Sequence, residues 1–405
     1  MSQNRAMGAN GTRTRRSLRV AGLFAGIGGL ELGLDRAGHQ TQLLCECEPT
    51  AQEVLRARFP DVALSDDVRD VGRLPGIDLL TAGFPCQDLS QAGTTKGLDG
   101  ARSGLVYEVF RIAKESRIPW LLIENVPFML QLGRGSVMTE IIDQLRGMGY
   151  RWAYRVIDSR AFGLPQRRER VFLLASLEGE PHPRDLLFKD VARRRPSNVL
   201  EPRPAEGTST SHGFYWTEGT RGLGWAVGAV PTLKGGSTVG IPSPPAIWLS
   251  DGGFVTPDIR DAERLQGFRA NWTKPATRAP KARDSHRWKL IGNAVSVPVA
   301  RWIGERLAEV PSNTPVSAGA IVNTRWPHAA ADFDGVDRVV DASPWPVRRK
   351  MLDVAEFLRH PAKPLSYRAA NGFRNRFTAS TLKAPDEFRI ALDRYVGTHE
   401  EAPVP

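Results

Sequence analysis

The feature that most restricts the fold is a repeated alternation of short apolar runs with stretches of helical spacing. Residues 18–24 form the first run. Leu30, Leu34 and Ala37 then recur at the interval of a helix, which Gly38 ends. Residues 42–46 make a second run, followed by a helical stretch carrying Ala51, Val54 and Leu55. The pattern repeats with 77–84 before Leu105, Val109 and Ile112, and with 120–123 before Val137, Ile141 and Leu145. Runs at 150–157 and 171–175 complete the series. Such alternation predicts an α/β fold, a doubly wound and mostly parallel sheet with helices on both faces.

The character changes after Ser176. Residues 181–211 are rich in Pro, Arg and Glu and read as linker or loop, and 213–253 are dense in Gly, Trp, Thr and Pro without helical period. A small irregular or β-rich domain fits the latter stretch. Helical patterning returns with Thr256-Pro257 as cap and first-turn pair and Gly267 as the stop, and a last helix is expected at about 298–307. From 311 onward the chain carries two Trp-Pro pairs and basic clusters.

Composition narrows the setting. With 41% hydrophobic residues the 405-residue chain can bury a substantial core, and no segment approaches the roughly 20 apolar residues of a membrane span. The first seventeen residues are polar and basic, without the apolar core of a secretory signal, and read as a flexible arm. Three cysteines, Cys45, Cys47 and Cys86, are too few for a disulfide framework and fit a reducing, cytoplasmic setting. A net charge of +11 suits a polyanionic partner, because basic side chains on phosphates release counterions.

Four motifs sit where this alternation puts strand ends. The loop 24–29, FAGIGG, lies between a strand and a helix, where glycines bring backbone N–H groups close to a ligand. A dinucleotide fingerprint would need glycine where Glu31 stands. Glu46, ending the next strand, can accept bonds from ribose hydroxyls, so the pair reads either as a nucleoside-cofactor site or as a tight turn plus a surface acid. Cys86, in GFPCQ after an apolar strand, is either a nucleophile or an inert thiol. Cys45 and Cys47 fit the inert state. Glu124 ends the following strand in ENVP, as a carboxyl group that is used there or an exposed loop acid. A thiol and a carboxyl on adjacent strand ends can attack an electron-poor ring carbon while bonding the ring nitrogen. The cluster 166–170, QRRER, is a solvated charge run or a holder of phosphates or a base carbonyl.

In their order, FAGIGG, GFPCQDLS, ENV, QRRER, RDAERLQGF and GNAVSVP resemble the DNA cytosine-C5 methyltransferase family over about 19–307. The resemblance implies the S-adenosylmethionine-dependent methyltransferase type of sheet. It also implies that cofactor bound by Phe24, Gly26, Gly28 and Glu46, with Asp67, Val68, Leu105, Asn293 and Ala294 as further contacts. Many members carry serine where Ala294 stands. It implies Cys86 as nucleophile, Glu124 on the cytosine ring and amine, and Arg168 and Arg170 orienting the site and holding the base carbonyl. The loop 90–103, with Ser90 and Arg102 as DNA contacts, resembles a lid over the flipped base.

By the same resemblance the chain divides into a basic arm (1–17), the first catalytic part (18–176), a target-recognition domain (177–255), a returning catalytic part (256–310) and a C-terminal extension (311–405). Thr232-Leu233 resembles a pair common in that recognition domain, where Trp216, Arg221 and Lys234 can touch DNA or pack. The expected activity is methylation of a cytosine in a specific duplex sequence, as an orphan enzyme or beside a companion restriction endonuclease. A tRNA methyltransferase and a catalytically inactive DNA-binding regulator are the competing readings. The recognition insertion favours duplex DNA, and the intact Cys86, Glu124 and Arg170 set favours catalysis.

Overall fold

The computed structural model describes residues 15–84, 104–191, 210–218, 220, 222–236, 244–309, 318–320 and 326–399. In the first part the strands are β1 (Arg19–Leu23), β2 (Gln40–Cys45), β3 (Ala63–Ser65), β4 (Leu79–Ala82), β5 (Trp120–Asn125), β6 (Tyr150–Asp158), β7 (Gln166–Arg167) and β8 (Glu169–Leu177). There follow β9 (His212–Phe214), β10 (Ala226–Val227), β11 (Val230–Pro231), β12 (Ala246–Trp248) and β13 (Phe254–Thr256). The last are β14 (Ala318–Ala320), β15 (Ala329–Phe333), β16 (Val336–Val340) and β17 (Lys363–Pro364).

Among the described residues the main sheet has ten strands, in the order β14-β16-β15-β6-β8-β5-β4-β1-β2-β3. Pairing from β3 through β2, β1 and β4 to β5 is parallel. The chain winds outward from β1 to β3 and returns on the other side to β4, so the order reverses between β1 and β4. Ligands of open α/β sheets bind at such a reversal, beyond the carboxyl ends of the strands. β8 runs antiparallel between β5 and β6. Its first residues therefore lie beside the last residues of β5, with Asn125 opposite Val171 and Glu124 opposite Phe172.

Both sheet faces are covered, which is why the strands read as continuous apolar runs. Leu80, Ala82, Leu121 and Ile123 face the helices Leu105–Ser116 and Ser136–Gly147. Leu79, Trp120 and Leu122 face the helices Gly29–Arg36 and Val297–Ala308. Those two helices touch closely: a Cβ on Gly33 would lie 2.4 Å from the Ala300 methyl. Glycine at 33 thus lets the returning part of the chain seal the first helix.

Two local expectations change. The cap of the helix Ile259–Leu265 is Asp258, whose carboxylate accepts the Arg260 N–H at 2.8 Å, rather than Thr256. Thr256 is drawn into β13, where it pairs with Lys363. Within the stretch read as linker, the helix Pro183–Leu187 is packed in the core through Leu186, Leu187 and Phe188. Its proline-rich start supplies a first helical turn, not a break.

A five-stranded sheet, β10-β9-β12-β13-β17, forms beside the main one. β11 leaves it to pair in parallel with β7, Val230 opposite Gln166 and Pro231 opposite Arg167. That short pairing brings the second sheet's chain to the strand ends of the first. Among the described residues no helix is long and apolar enough to cross a membrane.

Candidate active site

The site is assembled from strand ends. After β1, Phe24 takes φ 54° and Gly26 and Gly28 take φ 56° and 78°, a left-handed sequence that turns the chain sharply into the helix Gly29–Arg36. At Gly28 a side chain would also strike the Phe59 ring, 2.4 Å from a Cβ. Gly26 is open: a Cβ there would meet nothing within 4 Å. The Gly26 N–H donates to the Glu46 carboxylate at 2.7 Å, and the Glu48 N–H donates to its other oxygen at 2.9 Å. Glu46 is thereby fixed at the end of β2, facing the glycine loop.

Asp67 and Val68 follow β3. Asp67 is held by Arg69, whose guanidinium and backbone N–H bonds lower its carboxyl to about 2. Val68 is buried against the core beneath it. Leu105 starts its helix, half-buried. Asn293 is exposed at the end of the helix Asp284–Asn293, and Ala294 after it is buried.

Glu124 and Arg170 meet where β5 and β8 lie side by side, next to the end of β4. Glu124 is buried at the end of β5, and the Arg170 Nε lies 3.2 Å from its Oε1. Burial pushes the Glu124 carboxyl up from its ordinary range, against the pull of Arg170 and Arg168. Its other oxygen lies 3.5 Å from where a Gly83 Cβ would be. Asn125 donates from Nδ2 to the Phe84 carbonyl at 3.1 Å, and the Phe84 ring meets Phe24 edge-on. The glycine loop, the end of β4 and the end of β5 are thus mutually fixed around residues 83 and 84. Cys86, Ser90 and Arg102 lie outside the described residues.

Arg168 differs from Arg170. Its guanidinium donates to the carbonyls of Leu233 (3.4 Å), Gly292 (3.2 Å) and Ala294 (2.6 Å). It is fully buried and turned away from solvent. Burial and the neighbouring Arg170 disfavour its charged form, and Glu124 favours it. Glycine is required at 292 because a Cβ would fall 2.1 Å from the Lys234 carbonyl carbon.

Tyr215 and Asn125 escaped the reading of roles from sequence. The Tyr215 hydroxyl donates to the Thr232 carbonyl at 2.6 Å, and the Lys234 ammonium sits 3.8 Å over its ring. Asn125 lies within the ENV motif but has a partner visible only across strands. Of the remaining cysteines, Cys45 is buried, with its thiol pushed up to about 11, whereas Cys47 is exposed. Cys47 falls just beyond the end of β2, where the chain leaves the sheet.

The chain is similar to known methylases. Residues 18–207 match the model of the C-5 cytosine-specific DNA methylase family. The chain is 47% identical to the Type II methyltransferase M2.BsuMI of Bacillus subtilis (strain 168), over 93% of this chain and 98% of that protein. The chain belongs to the C-5 cytosine-specific DNA methylase family. It is a DNA (cytosine-5) methyltransferase.

A second methylase of this kind, the Type II methyltransferase M.MspI of Moraxella sp, is 29% identical over 71% of this chain and 69% of its own. The structure of S. pombe Dnmt2 methyltransferase is 18% identical, with a TM-score of 0.48 over 70% of this chain and 96% of that one.

Proposed function

We propose that this methylase transfers a methyl group from S-adenosylmethionine to C5 of a cytosine within one specific duplex DNA sequence, through a covalent bond between Cys86 and C6. The observation that carries the reading is the buried Glu124–Arg170 pair one strand away from Gly83 and Phe84, which lead directly to Cys86.

The glycine loop fits a nucleoside cofactor: space is open before Gly26, and Glu46 is fixed opposite it. Phe24, Gly26, Gly28 and Glu46 would hold the nucleoside, with Asp67, Val68, Leu105, Asn293 and Ala294 around it. S-adenosylmethionine supplies, when bound, an electrophilic methyl on a sulfonium.

Cys86 thiolate adds to C6, and the ring electrons displaced toward C5 make that carbon nucleophilic. Glu124, whose burial favours its taking up a proton, bonds N3 and the exocyclic amine as the ring gains electron density. Arg170 holds the base carbonyl. Once C5 carries the methyl group, loss of its proton to a base restores the double bond and expels Cys86 as thiolate. The target base must leave the duplex, at about a few kcal/mol of unstacking. Ser90 and Arg102 are assigned to the DNA side of that step. Arg168 supports it from behind by tying segments 233 and 292–294 together.

We assign 18–176 and 256–310 to catalysis and 177–255 to target recognition, with 1–17 as a basic arm. The natural setting is modification of host DNA in the cytoplasm, beside a companion restriction endonuclease or alone. Expression in a host lacking cytosine methylation, followed by bisulfite sequencing, tests the activity and returns the recognition sequence. Unmethylated DNA in that host overturns the proposal.

A further inference from the structure

We propose that residues 363–399 are the outer half of the target-recognition body, and that Arg376 is a positioning residue for its DNA-reading loop, residues 215–218. The inference rests on the assignment of target recognition made above.

The C-terminal segment is built into the second sheet in two ways. β17 pairs with β13 as its edge strand, Val255 opposite Pro364. Above one sheet face lie the helices Tyr367–Thr378 and Asp386–His399. Phe214 meets Phe373 at 4.9 Å and Phe388 at 5.2 Å between ring centres, and Trp225 meets Phe388 at 5.0 Å. Phe214, Phe254, Phe373, Phe377, Phe388 and Leu392 are all buried in this one cluster. Aromatic burial on this scale is core packing, not an appended tail.

The opposite face of the sheet, through Ile247 and Val255, packs with Val230, Leu233, Leu265 and Ile291. Among the described residues both faces are covered, and duplex DNA is assigned to loops beside the sheet. Residues 215–218, which follow β9, lie against residues 232–236, which follow β11. Glu218 takes the Lys234 ammonium at 2.7 Å, and the Tyr215 hydroxyl bonds the Thr232 carbonyl. Thr232 Oγ1 in turn donates to the Arg167 carbonyl at 2.8 Å.

Arg376 reaches this pair from the covering helix. Its Nε donates to the Glu218 carbonyl and its Nη2 to the Trp216 carbonyl, both at 2.9 Å. A planar fork bonded to two carbonyls of one turn fixes both its place and its tilt. The loop so held carries Tyr215 and Glu218, which set Lys234 in the neighbouring 232–236 loop. The extension therefore acts on target reading through a chain of named contacts: Arg376, the 215–218 turn, Thr232 to Lys234, and Arg168.

The test uses the full chain and the duplex identified by bisulfite sequencing, with methyl transfer from labelled S-adenosylmethionine. Arg376→Ala is expected to raise KM for DNA about tenfold, as expected for losing charge-assisted bonds, with kcat and cofactor affinity little changed. Methylation of near-match duplexes relative to the target should rise in the same variant, and Arg376→Lys should recover part of the loss. Tyr215→Phe, which keeps the ring and removes one hydroxyl, should move KM for DNA and discrimination in the same direction. Should Arg376→Ala fail to fold, Tyr215→Phe and Arg376→Lys decide. Wild-type KM and discrimination in the folded variants overturn the proposal. A wild-type protein that methylates no DNA overturns instead the assignment on which it rests.

Discussion

Asn125 donates its side-chain N–H to the Phe84 carbonyl at 3.1 Å, joining the ends of two neighbouring strands two residues before Cys86. Both residues are buried, so the carbonyl has no water to turn to if the donor is removed. Leaving it unsatisfied costs about 1–3 kcal/mol. Asn125→Ala is expected to lower kcat about tenfold or more by loosening the approach of the nucleophile, with cofactor affinity retained. Steady-state kinetics beside equilibrium cofactor binding would check this, and an unchanged kcat would refute it.

Cys86→Ser is expected to abolish methyl transfer while cofactor binding survives. Glu124→Gln keeps the shape of the buried side chain and removes its transferable proton. Its kcat should fall by about 10²–10⁴, the usual contribution of a positioned acid or base. Transfer of labelled methyl groups measures both variants, and activity near wild type in either would remove that residue from the mechanism.

Arg168 serves three carbonyls from two segments, 233 and 292–294, and its loss should be read in stability first. Arg168→Ala leaves the carbonyls of Leu233, Gly292 and Ala294 without this donor. A loss of about 3 kcal/mol or more is expected, as for other broken buried charge contacts. Arg168→Lys should recover less than half, because an ammonium cannot span the three acceptors. Denaturant unfolding with an unchanged midpoint in Arg168→Ala would contradict this account.

Glu31 gives the fold a pH dependence. Its carboxyl is buried beneath β1, accepts from Thr81 Oγ1 at 2.8 Å, and is pushed up to about 7 by burial. A carboxyl with a raised folded pKa favours folding where it is protonated. The stabilisation is full below the unfolded value of 4.5 and is lost as pH rises through about 7. The size is on the order of 3 kcal/mol. Glu31→Gln should flatten the fall of Tm across that window. An unaltered slope would show that other groups set it.

Much of this architecture was legible in the chain. Apolar runs marked the central strands because both sheet faces are covered, and the glycine loop marked its own turn through positions that need positive φ. Glu124 and Arg170 were legible as strand-end charges, and their 3.2 Å approach follows from β8 lying antiparallel beside β5. That reversal has no local signature, since an apolar strand reads the same in either direction. Asn125, Tyr215 and Arg376 act through carbonyls on other elements, 17, 41 or more residues away, which periodicity does not record. The C-terminal strands and helices carry apolar residues whose partners lie about 100 residues earlier or more, so their place was invisible until the pairings were known.

The pairing of Val255 with Pro364 bears on how new specificities could be made from this scaffold. If recognition resides in 177–255 as proposed, an exchange limited to those residues would graft a foreign sheet beneath helices shaped for another. The transferable cassette would then be discontinuous, and a chimaera is expected to need 363–399 along with the inserted segment to keep that sheet packed.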